Sequence, residues 1–242
     1  MNENWLIPEW PAPANVRSCA TTRLGGVSQG AYASLNLGDH VQDDPGAVLE
    51  NRQRLVSTLG CQPAWLRQVH GLSVVEAQPD RILEADAVWT STPGVAATIM
   101  TADCLPVLFC NRAGSRVAAA HAGWRGLVNG ILEATVATLD SPPDDILVWL
   151  GPAIGPDAFE VGPEVKAAFI REQASAEAAF RPSLNQGRFM ADLYQLARLR
   201  LAQQGIHAVY GGGLCTYTDE DRFFSYRRSP QTGRMASLIW LT

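Results

Sequence analysis

Histidine is scarce. The 242 residues hold four, His40, His70, His121 and His207, and no two stand in an H-x-H pair. A multinuclear copper centre, built from such pairs, is excluded by that count. The chain also lacks a basic excess. Lys plus Arg number 19 against 24 Asp plus Glu, for a net charge of −5 and a pI of about 5.4. A nucleic-acid or anionic-membrane surface needs a basic face, so neither partner is expected. No apolar run approaches the roughly 18 residues that begin to suggest a transmembrane helix. The first residues, MNENWLIPEWPAP, have neither a basic start nor an apolar stretch and do not read as a signal peptide, so a cytoplasmic location is expected. Charged residues make up only 18%, against about 25% in an average soluble domain. That deficit hints at a self-association face, and a monomer is equally compatible. The five cysteines (Cys19, Cys61, Cys104, Cys110, Cys215) are odd in number and form no C-x-x-C. In a reducing compartment they are thiols, acting as core residues, ligands or nucleophiles.

Apolar residues are plentiful at 47%, with 21 Gly and 15 Pro, so a folded core interrupted by many tight turns is expected. Strands are predicted over 16–23, 64–69, 72–77, 95–100, 105–110, 116–121 and 146–150. Pro45 after Asp43-Asp44, with Gly60 beyond, marks a helix over 45–60. An amphipathic helix follows Gly123 and Gly126, and further helices are predicted over 163–180 and from Asp192 to about 205. The remainder, 206–242, reads as two or three strands: HAVYGGG, the FFSYRR stretch and MASLIWL. Ser141–Asp145 reads as a loop. Strands and helices interleave without a regular βαβ rhythm, which predicts an α/β or α+β fold of mixed sheets covered by helices. No repeat or linker divides the chain, so 1–242 is expected to be one domain.

Three short segments concentrate the chemistry: QVHG (68–71), TADCLP (101–106) and HAGWRG (121–126). Each puts a His or Cys at the end of an apolar run beside Gly or Pro, where a sheet presents side chains into a shared cleft. Two imidazoles and a thiolate from His70, Cys104 and His121 suit Zn²⁺ with an open fourth position, the pattern of a catalytic zinc. The same donors also bind Cu²⁺. A second reading makes Cys104 a nucleophile with His121 as its base. A third makes the metal structural, with Cys215 or His40 as a fourth ligand. Arg23, before Gly25-Gly26, and Arg125, near a helix start, are candidate anion contacts. Asn36 and His40, in the SLNLGDH loop, are either turn-capping residues or substrate contacts. Asp103 either orients a ligand or caps a turn. Arg227-Arg228 is a small basic spot, as readily surface as substrate contact, and Glu160 reads as a solvated carboxylate.

Taken together, TTRLGGVS, SLNLGDH, ENRQRL, RQVHG, ADAVWT, TADCLPVLFCN, AAAHAGWRG, LGPAIGPDAFEVG, ADLYQLA and FFSYRR-TGRMAS resemble the YfiH family. This is also called the laccase-domain, polyphenol oxidase or peptidoglycan-editing-factor family. The resemblance runs from about Pro8 to Trp240. It implies one α/β domain of mixed sheets sandwiched by helices, similar to a cysteine-dependent deamidase toxin domain, and metal ligands at His70, Cys104 and His121. It implies a zinc enzyme that cleaves adenosine, guanosine, inosine and methylthioadenosine with phosphate and also deaminates adenosine. Removal of peptidoglycan precursors carrying L-Ser, and copper-dependent phenol oxidation, are the alternatives it brings. Under this reading Arg23 and Arg125 are expected at the phosphate. Asp103 and His40 are expected at protons or ribose, and Asn36 among the substrate contacts.

Overall fold

The strands that were legible as continuous apolar runs are those covered on both faces, which removes any need for polar alternation. In the computed structural model, which describes residues 3–242, β1 (Val16–Ala20) leads by an irregular loop to α1 (Pro45–Leu59). Asp44 caps α1 by accepting the Ala47 N–H, and Gly60 closes it in the left-handed conformation, as Pro45 and Gly60 predict. Then come β2 (Gln62–Ala64), β3 (Leu66–Arg67), β4 (Val74–Glu76), β5 (Leu83–Glu84), β6 (Ala87–Thr90), β7 (Val95–Thr101), β8 (Leu105–Asn111) and β9 (Val117–Ala122). The helices α2 (Trp124–Asn129) and α3 (Ile131–Ala137) follow, broken from one another at Gly130, which has a φ of 104°. Beyond the Ser141–Asp145 loop lie β10 (Ile146–Leu150), β11 (Glu160–Val161), α4 (Pro163–Glu172), β12 (Phe180–Pro182), β13 (Phe189–Ala191), α5 (Leu193–Gln203), β14 (Val209–Gly211) and β15 (Met235–Leu241).

Two expected elements differ. The helix over 163–180 stops at Glu172, because Gln173 is extended; a 3₁₀ segment and β12 complete the span. The FFSYRR stretch is no strand. Its backbone is held by side chains instead: Arg228 donates to the carbonyls of Thr216, Tyr217 and Phe223.

The sheets stack in layers. The two larger have the orders β1-β15-β7-β2 and β14-β10-β8-β9-β6-β4, both mixed, and β11-β13-β12 and β3-β5 form two small ones. Along β8, Leu105, Val107 and Phe109 pack toward Leu127, Ile131, Leu196 and Leu201 of the helices. Leu108 and Cys110 point the other way, joining Ala97, Ile99, Ile239 and Leu241 of the four-stranded sheet. That sheet's outer face, with Cys19, Ala96, Leu238 and Trp240, packs under Leu55 of α1. The order is therefore helix, sheet, sheet, helices, the mixed α/β sandwich expected. No helix among the described residues is long and apolar enough to cross a membrane.

Candidate active site

The two sheets meet at one end in a cleft of about 530 Å³, within the roughly 300–1,000 Å³ range of small-molecule sites. Met100 and Thr101 come to it from β7, Cys104 from the turn before β8 and His121 from β9; His70 comes from the β3–β4 loop. The ligand atoms of His70, Cys104 and His121 all lie within 4.8 Å of one another. Cys104 Sγ is 3.8 Å from His70 Nε2. Zinc bonds of 2.3 Å to sulfur and 2.1 Å to nitrogen in a tetrahedron separate two such ligands by about 3.6 Å. The donors run from floor to mouth: His121 is buried, Cys104 half-buried and His70 exposed.

Asp86, at the head of β6, organises the cluster. Its carboxylate is wholly buried. Oδ1 accepts His121 Nδ1–H at 2.8 Å and the His70 N–H at 2.9 Å. Oδ2 accepts the N–H groups of Val69 at 3.2 Å and Gly71 at 2.6 Å. Donation from Nδ1 fixes the His121 tautomer and turns Nε2 to the cluster, as metal-ligating histidines require. The backbone contacts hold His70 at φ 60°, a conformation costing a residue with a Cβ about 1–3 kcal/mol. One carboxylate thus sets the ring of one histidine and the main chain of the other.

Charge follows from this geometry. Burial alone would raise the Cys104 thiol, but the His121 imidazolium and hydrogen bonds from His121 and His70 outweigh it, bringing it down to about 6. Burial would lower His121; the Cys104 thiolate and the Asp86 carboxylate reverse that and raise it to about 9. Burial also works against ionised Asp86, yet its hydrogen bonds from His121, Gly71 and Val69 hold it below the usual carboxylate range. Gly123, just past His121, leaves room for the cluster: a Cβ there would sit 2.9 Å from His70 Cδ2 and 3.1 Å from Cys104 Sγ. The donor set, the Asp86 support and the room at Gly123 fit a single metal ion.

The other expected residues divide. His40 and Arg125 line the cleft. Arg125 lies with its guanidinium 4.5 Å from the Trp124 ring, and burial together with Arg234 keeps His40 below its ordinary value. Arg23 does not reach the cleft. Its Nε donates to the Ala33 carbonyl and Nη1 to that of Glu220, and it stacks on Phe224. Those bonds bind two loops together, and Arg23 is not among the residues that line the cleft. Asn36 is fully buried and bonded to Gly38, Asp43 and the Arg234 amide. Asp103 borders the cleft, and its Oδ1 accepts the Thr216 hydroxyl at 2.7 Å and Oδ2 the Arg227 N–H at 2.6 Å, which ties the turn to the segment before β15. Cys215 accepts the Gly155 N–H and is not in the donor cluster, nor is His40.

Sequence reasoning missed three contributors. Asp86 stood inside ADAVWT, where an acid heading an apolar strand was the available signal. Gln68 pairs both amide atoms with the Met100 backbone at 2.8 Å, joining the His70 loop to β7. Arg234 also lines the cleft, and nothing in its local sequence signals this. Of the Arg227-Arg228 pair, only Arg227 faces the cleft.

Residues 17–242 match the family described as multi-copper polyphenol oxidoreductase laccase. The chain belongs to this laccase-like YfiH family. It is 66% identical over 237 residues to a purine nucleoside phosphorylase of Pseudomonas aeruginosa, covering 98% of each chain. It is 55% identical to the purine nucleoside phosphorylase YfiH of Escherichia coli, again covering 98% of each. A crystal structure of a Neisseria meningitidis protein of the DUF152 family superposes with a TM-score of 0.96 at 54% identity, covering 99% of each chain.

Proposed function

We propose that this chain is a zinc-dependent purine nucleoside phosphorylase that also deaminates adenosine. The observation that carries the reading is the His70–Cys104–His121 cluster, braced by Asp86 and open on a cleft with aromatic and cationic walls. The names of the relatives at 66% and 55% identity support the phosphorolysis; methylthioadenosine as a substrate and deamination follow from the family resemblance. When bound, zinc supplies Lewis acidity and an acidified water. His70, Cys104 and His121 would hold it, with Asp86 keeping His121 in the ligating tautomer.

In phosphorolysis a phosphate oxygen bonds to ribose C1′ as the bond from C1′ to the purine nitrogen breaks, its electron pair leaving with the base. The products are the free purine and ribose-1-phosphate. Trp124, Phe159 and Tyr226 offer flat faces for the base, and the cleft arginines offer charge to the phosphate. In deamination water adds at C6 of adenosine, and ammonia leaves to give inosine.

The test is metal content by mass spectrometry together with adenosine turnover in phosphate buffer. Adenine, ribose-1-phosphate and inosine, with one zinc per chain, are expected, and all are lost on Cys104→Ala or chelation. Unchanged turnover after complete metal removal would overturn the reading.

The chain Cys104–His121–Asp86 favours a second reading, because it is also how a thiolate nucleophile is assembled. Cys104 would then attack an amide of an L-Ser-containing UDP-MurNAc precursor, and that hydrolysis would survive chelation. Copper phenol oxidation is at most a side reaction. The described residues present a single three-donor cluster, with no second copper site for four-electron reduction of oxygen.

A further inference from the structure

Two arginines of the cleft come from the irregular segment before β15, and buried polar side chains hold both by their backbones. Asp103 Oδ2 accepts the Arg227 N–H at 2.6 Å, while its Oδ1 accepts the hydroxyl of Thr216. Asn36 Oδ1 accepts the Arg234 N–H at 2.8 Å, together with the Gly38 N–H at 2.9 Å. Asp103 is 8% exposed and Asn36 0%. Asp103 takes a φ of 90° and immediately precedes Cys104, so the residue that tethers Arg227 also shapes the turn presenting the thiolate.

The guanidiniums are only partly committed. Arg227 gives Nη1 to the carbonyls of Glu160 and Ala158 and lies 5.6 Å from the Phe159 ring. Arg234 gives Nη1 to the carbonyls of Thr232 and Gly233, and its alkyl stem packs on Gly38. No carboxylate forms an ion pair with either among the described residues, whereas Arg52, Arg200, Arg222 and Arg228 each have one. Burial lowers the Arg234 guanidinium from its ordinary value, and the nearby charges of Cys104 and Asp103 oppose that shift. Two cations without carboxylate partners, sharing a cleft with an apolar aromatic wall, are half of an oxyanion site. A planar guanidinium suits phosphate oxygens because its donors match them in pairs.

We propose that Arg227 and Arg234 form the oxyanion subsite of the cleft and take the phosphate co-substrate, with Asp103 and Asn36 as positioning residues that hold them through their amides. This rests on the phosphorylase reading and assigns to the segment before β15 the role that sequence reasoning gave to Arg23 and Arg125. It also gives the buried Asn36 and the positive-φ Asp103 a role through the arginines whose amides they hold.

The test separates phosphate from nucleoside. In steady-state phosphorolysis Arg227→Ala and Arg234→Ala should each raise KM for phosphate about 10- to 100-fold, the loss of one hydrogen bond to a charged group. KM for the nucleoside should change far less. Asp103→Ala should raise KM for phosphate in the same way, and Asp103→Asn, which keeps an acceptor for the Arg227 amide, should restore much of it. A purely structural Asp103 would instead move both KM values and the melting temperature together. Arg23→Ala provides the comparison, and arginine variants whose KM for phosphate is no higher than that of Arg23→Ala overturn the proposal. Titration of the zinc-loaded protein with inorganic phosphate, followed by ³¹P NMR, distinguishes the two readings. Binding lost in the arginine variants, in a wild type that turns over no nucleoside, keeps the subsite and rejects the phosphorylase. Turnover with unaltered phosphate binding in the variants does the reverse.

Discussion

Gly123→Ala isolates the metal cluster from the fold. Gly123 has φ −61° and ψ 156°, a conformation open to any L-residue, so the backbone itself tolerates alanine. As an N-cap position, exchanging Gly for Ala costs about 1 kcal/mol at most. The site is affected far more. The new methyl would lie 2.9 Å from His70 Cδ2 and 3.1 Å from Cys104 Sγ, where carbon contacts are optimal at about 3.5–4.0 Å. Relief requires the His70 ring, or the methyl, to move by at least about 0.5 Å, whereas metal–ligand distances hold to within about 0.2 Å. The His70 backbone is held by Asp86, so relief must come from rotation of the ring away from the other two donors. The expected outcome is a zinc affinity reduced by about 10- to 100-fold, the range for disturbing the support of a ligand. Thermal unfolding of the metal-free protein should be nearly unchanged. Competition with a chromophoric chelator gives the affinity, and calorimetry of stripped protein gives the stability. Wild-type zinc affinity in Gly123→Ala would refute the reasoning that Gly123 is there to make room for the ligands.

Asp86→Asn should lower zinc affinity by about 10- to 100-fold by disturbing His121, and Asp86→Ala should also destabilise the metal-free protein by more than 3 kcal/mol, because several buried donors lose their acceptor. Both are read by the same chelator and melting measurements. The Asp86 carboxyl is held below its ordinary value in the folded state. Its stabilisation is therefore complete above the unfolded value of about 3.9 and is lost as pH falls through the folded value. The acid limb of the melting curve should accordingly be shallower in Asp86→Asn than in wild type. In metal-stripped protein, iodoacetamide should label Cys104 with a midpoint near pH 6, while buried Cys110, pushed up to about 12, stays unlabelled at neutral pH; peptide mapping by mass spectrometry reads both. Phe109→Ala, which empties a fully buried core position, should cost about 3–5 kcal/mol without altering zinc stoichiometry.

What the sequence made legible follows from how local each signal is. His70, Cys104 and His121 each end an apolar run at a Gly or Pro turn, so their convergence needed only neighbouring strands. The strands β7 to β10 were visible because burial on two faces gives uninterrupted apolar runs. Asp86 was hidden because its role depends on the register of β6 against β9, where the His121 N–H meets the Asp86 carbonyl, and on three successive amides turned toward one carboxylate. Arg23 and Asn36 looked like substrate contacts because polar loops near glycines do bind anions. Only the tertiary structure shows that their partners are backbone groups and other side chains. Arg234 stood in the TGRMAS motif without a chemical role, since it reaches the cleft through the placement of the segment before β15. The helix expected over 163–180 failed at Gln173, where the apolar pattern continues but the chain turns into 3₁₀ and strand.

β15 lies between β1 and β7, pairing along its length with both. The first strand of the chain and the seventh therefore share a partner that leaves the ribosome after both. Until then β1 has one long edge without its ladder and β7 lacks its antiparallel neighbour, and such open edges template contacts between chains. The same closing strand follows directly on Arg234, so the four-stranded sheet and the cleft are completed in a single late event. Nascent chains stalled before Met235 should be recognisable by their stickiness as well as their inactivity, and refolding from denaturant should be slow, as expected where the decisive pairing joins distant parts of the sequence.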